Sequence, residues 1–196
     1  MRLLSERFEE ALLYAHELHG DQYRKGTRVP YMGHLMGVAS LVLEYGGDEE
    51  QVIAALLHDA IEDQGGSLAR DQIRARFGER VAAIADGCTD AVGTPKPPWR
   101  QRKEAHLAKL TTASRSVLLV ACADKLHNAR TLVADYRVVG EELWERFHGG
   151  REGTLWYYRS ASEMFRSAEN APRLLADELD RTVADLDRLV VKWRIA

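Results

Sequence analysis

Apolar residues recur at helical spacing along nearly the whole chain, and no segment alternates convincingly as a strand. That feature restricts the fold to an all-α arrangement, because a period near 3.6 yields an apolar stripe only when the chain winds as a helix. Residues 5–19 carry Phe8, Ala11, Leu12, Ala15 and Leu18 on one face, and Gly20 can end the segment. The spacing predicts further helices over 35–45 and 48–63, the second with Asp48 as N-cap and acidic residues in its first turn. Ser67 is expected to cap the next element, and 68–91 reads as two short helices broken at Gly78. A proline-rich loop over 92–103 leads into a basic helix over 99–113. Residues 114–136 form the most apolar helix of the chain, and 141–148, 153–168 and 172–193 complete the set. No internal repeat divides the sequence, so one domain over 1–196 is expected.

Composition narrows the function. At 45% hydrophobic and 29% charged residues, the chain has the apolar material for a buried core. The net charge of -3 provides no global basic field for duplex nucleic acid, yet a local basic patch can still hold a small phosphorylated ligand. Cys88 and Cys122 both sit in apolar surroundings and read as buried thiols of a cytoplasmic protein, not as a disulfide framework. The N-terminal segment carries acidic residues where a signal peptide needs an apolar stretch. The longest apolar run, 117–123, is too short to span a bilayer, so no membrane association is expected. The amphipathic segment 172–193 can pack at home or on a second subunit; home packing is the commoner outcome, and a homo-oligomer stays open.

The stretch AALLHDAIEDQ, 54–64, places His58, Asp59, Glu62 and Asp63 directly behind an apolar helical face. In a continuous helix at about 100° per residue the four share one side. Such a group beside an apolar face is met either by solvent or by a bound cation. His34, at the start of the second helix, and Asp124, directly behind the apolar run 117–123, extend the set to two imidazoles and two carboxylates. That mixture suits Mn²⁺, Fe²⁺, Co²⁺, Ni²⁺ or Zn²⁺ and argues against an all-thiolate site.

His34, His58-Asp59 and Asp124 in this order resemble the signature of the HD-domain metal-dependent phosphohydrolase superfamily. Three longer motifs are similar to those of RelA/SpoT-type hydrolase domains and small alarmone hydrolases: HGDQYRKGTRVPYMGH (19–34), AALLHDAIEDQ (54–64) and ADKLHNART (123–131). The resemblance covers 19–131, with the helices of 141–196 beyond it, and implies an HD-domain helical bundle. It further implies one divalent metal, usually Mn²⁺, on His34, His58, Asp59 and Asp124, with Glu62 and Asp63 beside the attacking water. The implied reaction is release of the 3′-pyrophosphate of (p)ppGpp; the alternatives are an adenosine alarmone, the 2′-phosphate of NADPH or another nucleotide as substrate, or nucleotide sensing without turnover.

Arg24 and Lys25, beside Gly26, form a plausible phosphate clamp. Asn128 and Thr131 follow Asp124 at i+4 and i+7 and can face the same cavity, although Thr131 can equally bond back to its own helix. Tyr157 is expected to stack on a base, as a late aromatic does in the small alarmone hydrolases, while Lys125 and His127 are expected at the surface. The basic residues Lys96, Arg100, Arg102 and Lys103 could close over a polyphosphate. This chain departs from the family pattern in a loop one residue longer between Arg24 and His34, in Leu35 after the histidine, and in Gln64 after Glu62-Asp63.

Overall fold

The computed structural model describes residues 4–91 and 95–193. Val92, Gly93 and Thr94, which open the expected proline-rich loop, lie outside the described residues, as do the ends of the expected 1–196 domain. The helices are α1 (Glu6–His19), α2 (Met32–Glu44), α3 (Glu49–Leu56), a short α4 (Ala60–Asp63), α5 (Ser67–Phe77) and α6 (Glu79–Cys88). They continue as α7 (Trp99–Leu110), the long α8 (Arg115–Val139), a 3-10 segment (Gly140–Arg146), α9 (Gly150–Ser167) and α10 (Arg173–Trp193). Among the described residues the one strand-like feature is a single antiparallel bridge, Tyr23 to Pro30, in the loop between α1 and α2.

Helix α8 is the axis of the bundle and packs against α2, α3, α6, α9 and α10. Its run Val117–Ala123 is buried on every side, which an all-round apolar helix requires. Leu35, Phe77, Leu118, Leu126 and Phe165 are each nearly or wholly buried in the same core, a burial worth about 1.5–3 kcal/mol per side chain. The apolar stripe of α10, Leu175, Leu179, Val183, Leu186 and Val190, is likewise buried, with α8 and α9 as the helix's packing partners, so that face is used within the chain.

Several boundaries differ from the periodicity. The expected continuous helix over 48–63 is interrupted by a turn at residues 57–59. There Ala60 donates to the carbonyl of Leu57, three residues back, and the His58 ring takes the carbonyl of Ala55 through Nδ1 at 2.7 Å. That carbonyl is the one a continuing helix would offer to the amide of Asp59, so the side chain competes with the helix. Ser67 is the first residue of α5 and not its cap, a position held by Gly66. The element expected over 141–148 is a 3-10 segment, a form common in short connectors. Asp48 does cap α3: its carboxylate accepts from the Gln51 amide at 3.0 Å, while the Gln51 side chain accepts from the Asp48 amide at 2.8 Å.

Candidate metal centre and active site

The turn at 57–59, α2 and α8 deliver four polar side chains to one point. The Nε2 atom of His58 lies 3.0 Å from Oδ2 of Asp59 and 3.7 Å from Oδ1 of Asp124. His34 Nε2 lies 3.7 Å and 3.3 Å from the same two oxygens. Ligand atoms of His34, His58 and Asp59 all fall within 4.8 Å of one another, a grouping able to hold a metal ion. Asp124 stands beside them with its oxygens engaged by Asn128 Nδ2 and Lys125 Nζ.

The donor set fits a cation on its own terms. His58 donates Nδ1–H to the Ala55 carbonyl, so in the neutral ring the lone pair is on Nε2, and that buried atom has no hydrogen-bond partner. A lone pair directed at two carboxylates is unfavourable unless positive charge stands between them. Burial opposes charge on the His58 ring, yet Asp59 and Asp124 outweigh it and hold its pKa well above the ordinary value. Burial would raise both carboxylates; His58 and His34 nonetheless hold Asp59 well below its usual range, and Lys125 with the same imidazoles does so for Asp124.

Asp59 and Asp124 border a cavity of about 330 Å³ together with Glu62, Asp63, Lys25, Asp90, Lys103 and Asn128. Glu62 accepts from Lys96 Nζ at 2.9 Å and from the Asp90 amide at 3.2 Å. Asp63 accepts from Gln22 Nε2 at 3.1 Å, and burial, then the charge of Asp59, raises its pKa. Gln22 in turn accepts from His19 Nδ1 at 2.7 Å and from Gln64 Nε2 at 3.1 Å, so Gln64 supports Asp63 through Gln22.

A second cavity, about 240 Å³, opens on the other side of Lys25 and is bordered by Arg24, His34, His127, Thr131 and Phe147. Arg24 donates to Asn128 Oδ1 at 2.8 Å, and Asn128 donates to Asp124, which ties the loop to the metal centre. Gly26, with a φ of 70°, turns this loop back, and a Cβ there would meet the Arg146 side chain at 2.6 Å. Thr131 borders the cavity but spends its hydroxyl on the His127 carbonyl at 3.0 Å. The packing leaves no open face for the base stacking expected of Tyr157: the residue is 6% exposed and its ring lies edge-on to Trp99 and Tyr158.

The periodicity misplaced two residues of α8. Lys125 is nearly buried and pairs with Asp124, its neighbour in the chain; burial opposes its charge, but Asp124 raises its pKa well above normal. His127 is half-buried against His34, and burial, then His34 and Arg24, push its pKa down to about 4. Tyr31 and Asp90 carried no assigned role in the sequence. Tyr31 donates its hydroxyl to Asp59 Oδ2 at 2.5 Å. The Asp90 side chain is nearly covered and accepts from Arg102 at 2.9 Å and Lys103 at 2.7 Å. Lys96 and these two residues thus spend their charges on Glu62 and Asp90, and Arg100 lies over the Trp156 ring. A carboxylate just ahead of a basic run was the available signal for Asp90.

A helical bundle that gathers two imidazoles and two carboxylates beside a cavity defines a histidine–aspartate site able to hold a cation. Residues 11–155 match the family model described as HD domain, and the chain belongs to the HD-domain family. It is 40% identical over 129 residues to a guanosine-3′,5′-bis(diphosphate) 3′-pyrophosphohydrolase of Aquifex aeolicus, covering 65% of this chain and 18% of that protein. The identity is 35% over 126 residues to the guanosine-3′,5′-bis(diphosphate) 3′-pyrophosphohydrolase MESH1 of Danio rerio, covering 63% and 67% respectively. A solved structure described as a metazoan orthologue of SpoT that hydrolyses ppGpp matches with a TM-score of 0.72 at 25% identity, over 92% of this chain and 97% of that one. The chain spans less than a fifth of the first curated relatives it matches. Among the described residues no helix is long and apolar enough to cross a membrane.

Proposed function

We propose that this chain is a metal-dependent phosphohydrolase that releases the 3′-pyrophosphate of (p)ppGpp, giving GDP or GTP and pyrophosphate. The observation that carries the reading is the convergence of His34 and His58 on Asp59 and Asp124, two carboxylates that border one cavity with Glu62, Asp63, Lys25 and Lys103. The names of the relatives supply the substrate class. The four converging residues are the proposed ligands, and their nitrogen–oxygen donor set suits Mn²⁺.

What a divalent cation supplies when bound is polarisation of the phosphoryl group and a lowered pKa for water. The protein's share is position and proton handling. Glu62 and Asp63 orient the attacking water and accept its proton, with Gln22 holding Asp63 in place. Lys25 and Lys103 face one cavity closely enough that burial, then the Lys103 charge, lowers the pKa of Lys25. Lys25 is the ammonium proposed to meet the pyrophosphate, while Lys103 stays paired with Asp90 at the wall of that cavity. Arg24 and Thr131 border the second cavity, Asn128 borders the first and accepts from Arg24, and the three are proposed substrate contacts, Arg24 with Lys25 at the phosphates. Cys88 and Cys122 are free thiols, which suits work in a reducing cytoplasm.

The test is turnover of purified protein with Mn²⁺ against a panel of ppGpp, pppGpp, an adenosine alarmone, NADPH and plain nucleotides, read by chromatography. Pyrophosphate released from ppGpp or pppGpp is the expected result. Phosphate from NADPH alone would reassign the substrate, and tight binding of ppGpp with no product would make the chain a sensor.

A further inference from the structure

His127 lies on α8 three residues beyond Asp124, and its Nδ1 is 3.0 Å from Nδ1 of His34. The two rings are 4.9 Å apart at an interplanar angle of 58°. The His127 ring occupies a slot in the backbone of α2: a Cβ added at Gly37 would lie 2.2 Å from its Nε2 and 2.3 Å from its Cδ2. No side chain larger than hydrogen fits position 37 while that ring stays where it is.

Two ring nitrogens at this distance share one proton. His34 turns its other nitrogen, Nε2, toward Asp59 and Asp124. If Nε2 gives its lone pair to a cation, the single proton of neutral His34 must reside on Nδ1, and His127 Nδ1 must accept it. His127 then carries its own proton on Nε2, beside Gly37. We propose that His127 is a positioning residue that holds His34 in the Nδ1–H tautomer, with Gly37 as the gap in α2 that admits it. The proposal rests on the metal-centre reading above.

The two imidazoles of the centre are thereby fixed by different devices. His58 donates to a main-chain carbonyl, that of Ala55, which no substitution removes. His34 relies on a side chain, so a single substitution can release it. Loss of such an outer partner costs about 10–100-fold in metal affinity.

The experiment is a titration of the full chain with Mn²⁺ alone, following the electron paramagnetic resonance signal of the free ion, for wild type, His127→Phe, His127→Asn and Gly37→Ala. Thermal unfolding of each checks that it is folded. His127→Phe keeps a ring but cannot accept, and is expected to bind about 10–100-fold more weakly. His127→Asn places an amide oxygen near the Nδ1 position and recovers most of that loss. Gly37→Ala leaves the imidazole chemically intact, displaces it, and weakens binding. A folded His127→Phe with wild-type affinity would overturn the proposal, and so would an Asn variant as weak as Phe, which would make the role one of packing. Wild-type affinity in Gly37→Ala would overturn the part given to the slot. Wild-type protein that takes up no Mn²⁺ would overturn the metal-centre reading, and this inference with it.

Discussion

Asp59 Oδ2 lies 3.0 Å from Nε2 of His58, the residue next to it in the chain. In an unbroken helix, neighbouring side chains diverge by about 100°. The turn between α3 and α4 cancels that divergence, and Tyr31, from the start of α2, holds the carboxylate from its other side. The pair therefore acts as one element of the centre.

Asp59→Ala removes a proposed ligand together with the acceptor of the Tyr31 hydroxyl. Mn²⁺ affinity and turnover should fall together, by more than the roughly 100-fold that loss of a supporting hydrogen bond costs. Calorimetric titration with Mn²⁺ alongside an assay of product release checks this. Full activity in metal-stripped buffer would refute the mechanism.

Glu62→Gln keeps the shape of a side chain that accepts from Lys96 and the Asp90 amide, but it cannot take a proton. Mn²⁺ binding should persist while kcat falls by about 10²–10⁴, the usual share of general acid–base catalysis. An unchanged kcat would leave Glu62 with an electrostatic role only.

Lys125→Met leaves the Asp124 carboxylate, itself buried, without its cation. In chelator the variant should lose about 3–5 kcal/mol of stability, as expected when one partner of a buried pair is removed. Added Mn²⁺ should raise Tm more in the variant than in wild type, because a bound cation replaces the missing charge. Equal melting temperatures in chelator would show that Asp124 finds compensation elsewhere.

Asp48→Ala removes the α3 cap and the contact with Arg80 at 2.7 Å, and should cost about 0.5–2 kcal/mol at neutral pH. Burial alone would raise the Asp48 pKa, but its hydrogen bonds to Arg80 and the Gln51 amide outweigh that and lower it. With the folded value depressed, this stabilisation is fully present above the ordinary carboxylate value of about 3.9 and fades as pH falls through the folded one. Urea unfolding of both proteins at pH 7 and in strong acid should show the gap between them closing. A gap that stays constant would mean the cap works without its charge.

The amino-acid order by itself determined the helical class, the apolar axis over 117–123 and the identity of the residues that converge. Helical period and side-chain chemistry are local properties, and they are written in consecutive letters. Asp124 was legible because a carboxylate closing a wholly apolar run must find a partner. The break at 57–59 was not, since it depends on the His58 ring taking a carbonyl that the periodicity assigns to the helix. Lys125 and His127 lie off the polar stripe of α8 and read as surface residues, yet α9 and α2 cover that side of the helix. Only the packing of distant segments could decide that, because burial at one position is set by what another part of the chain places against it.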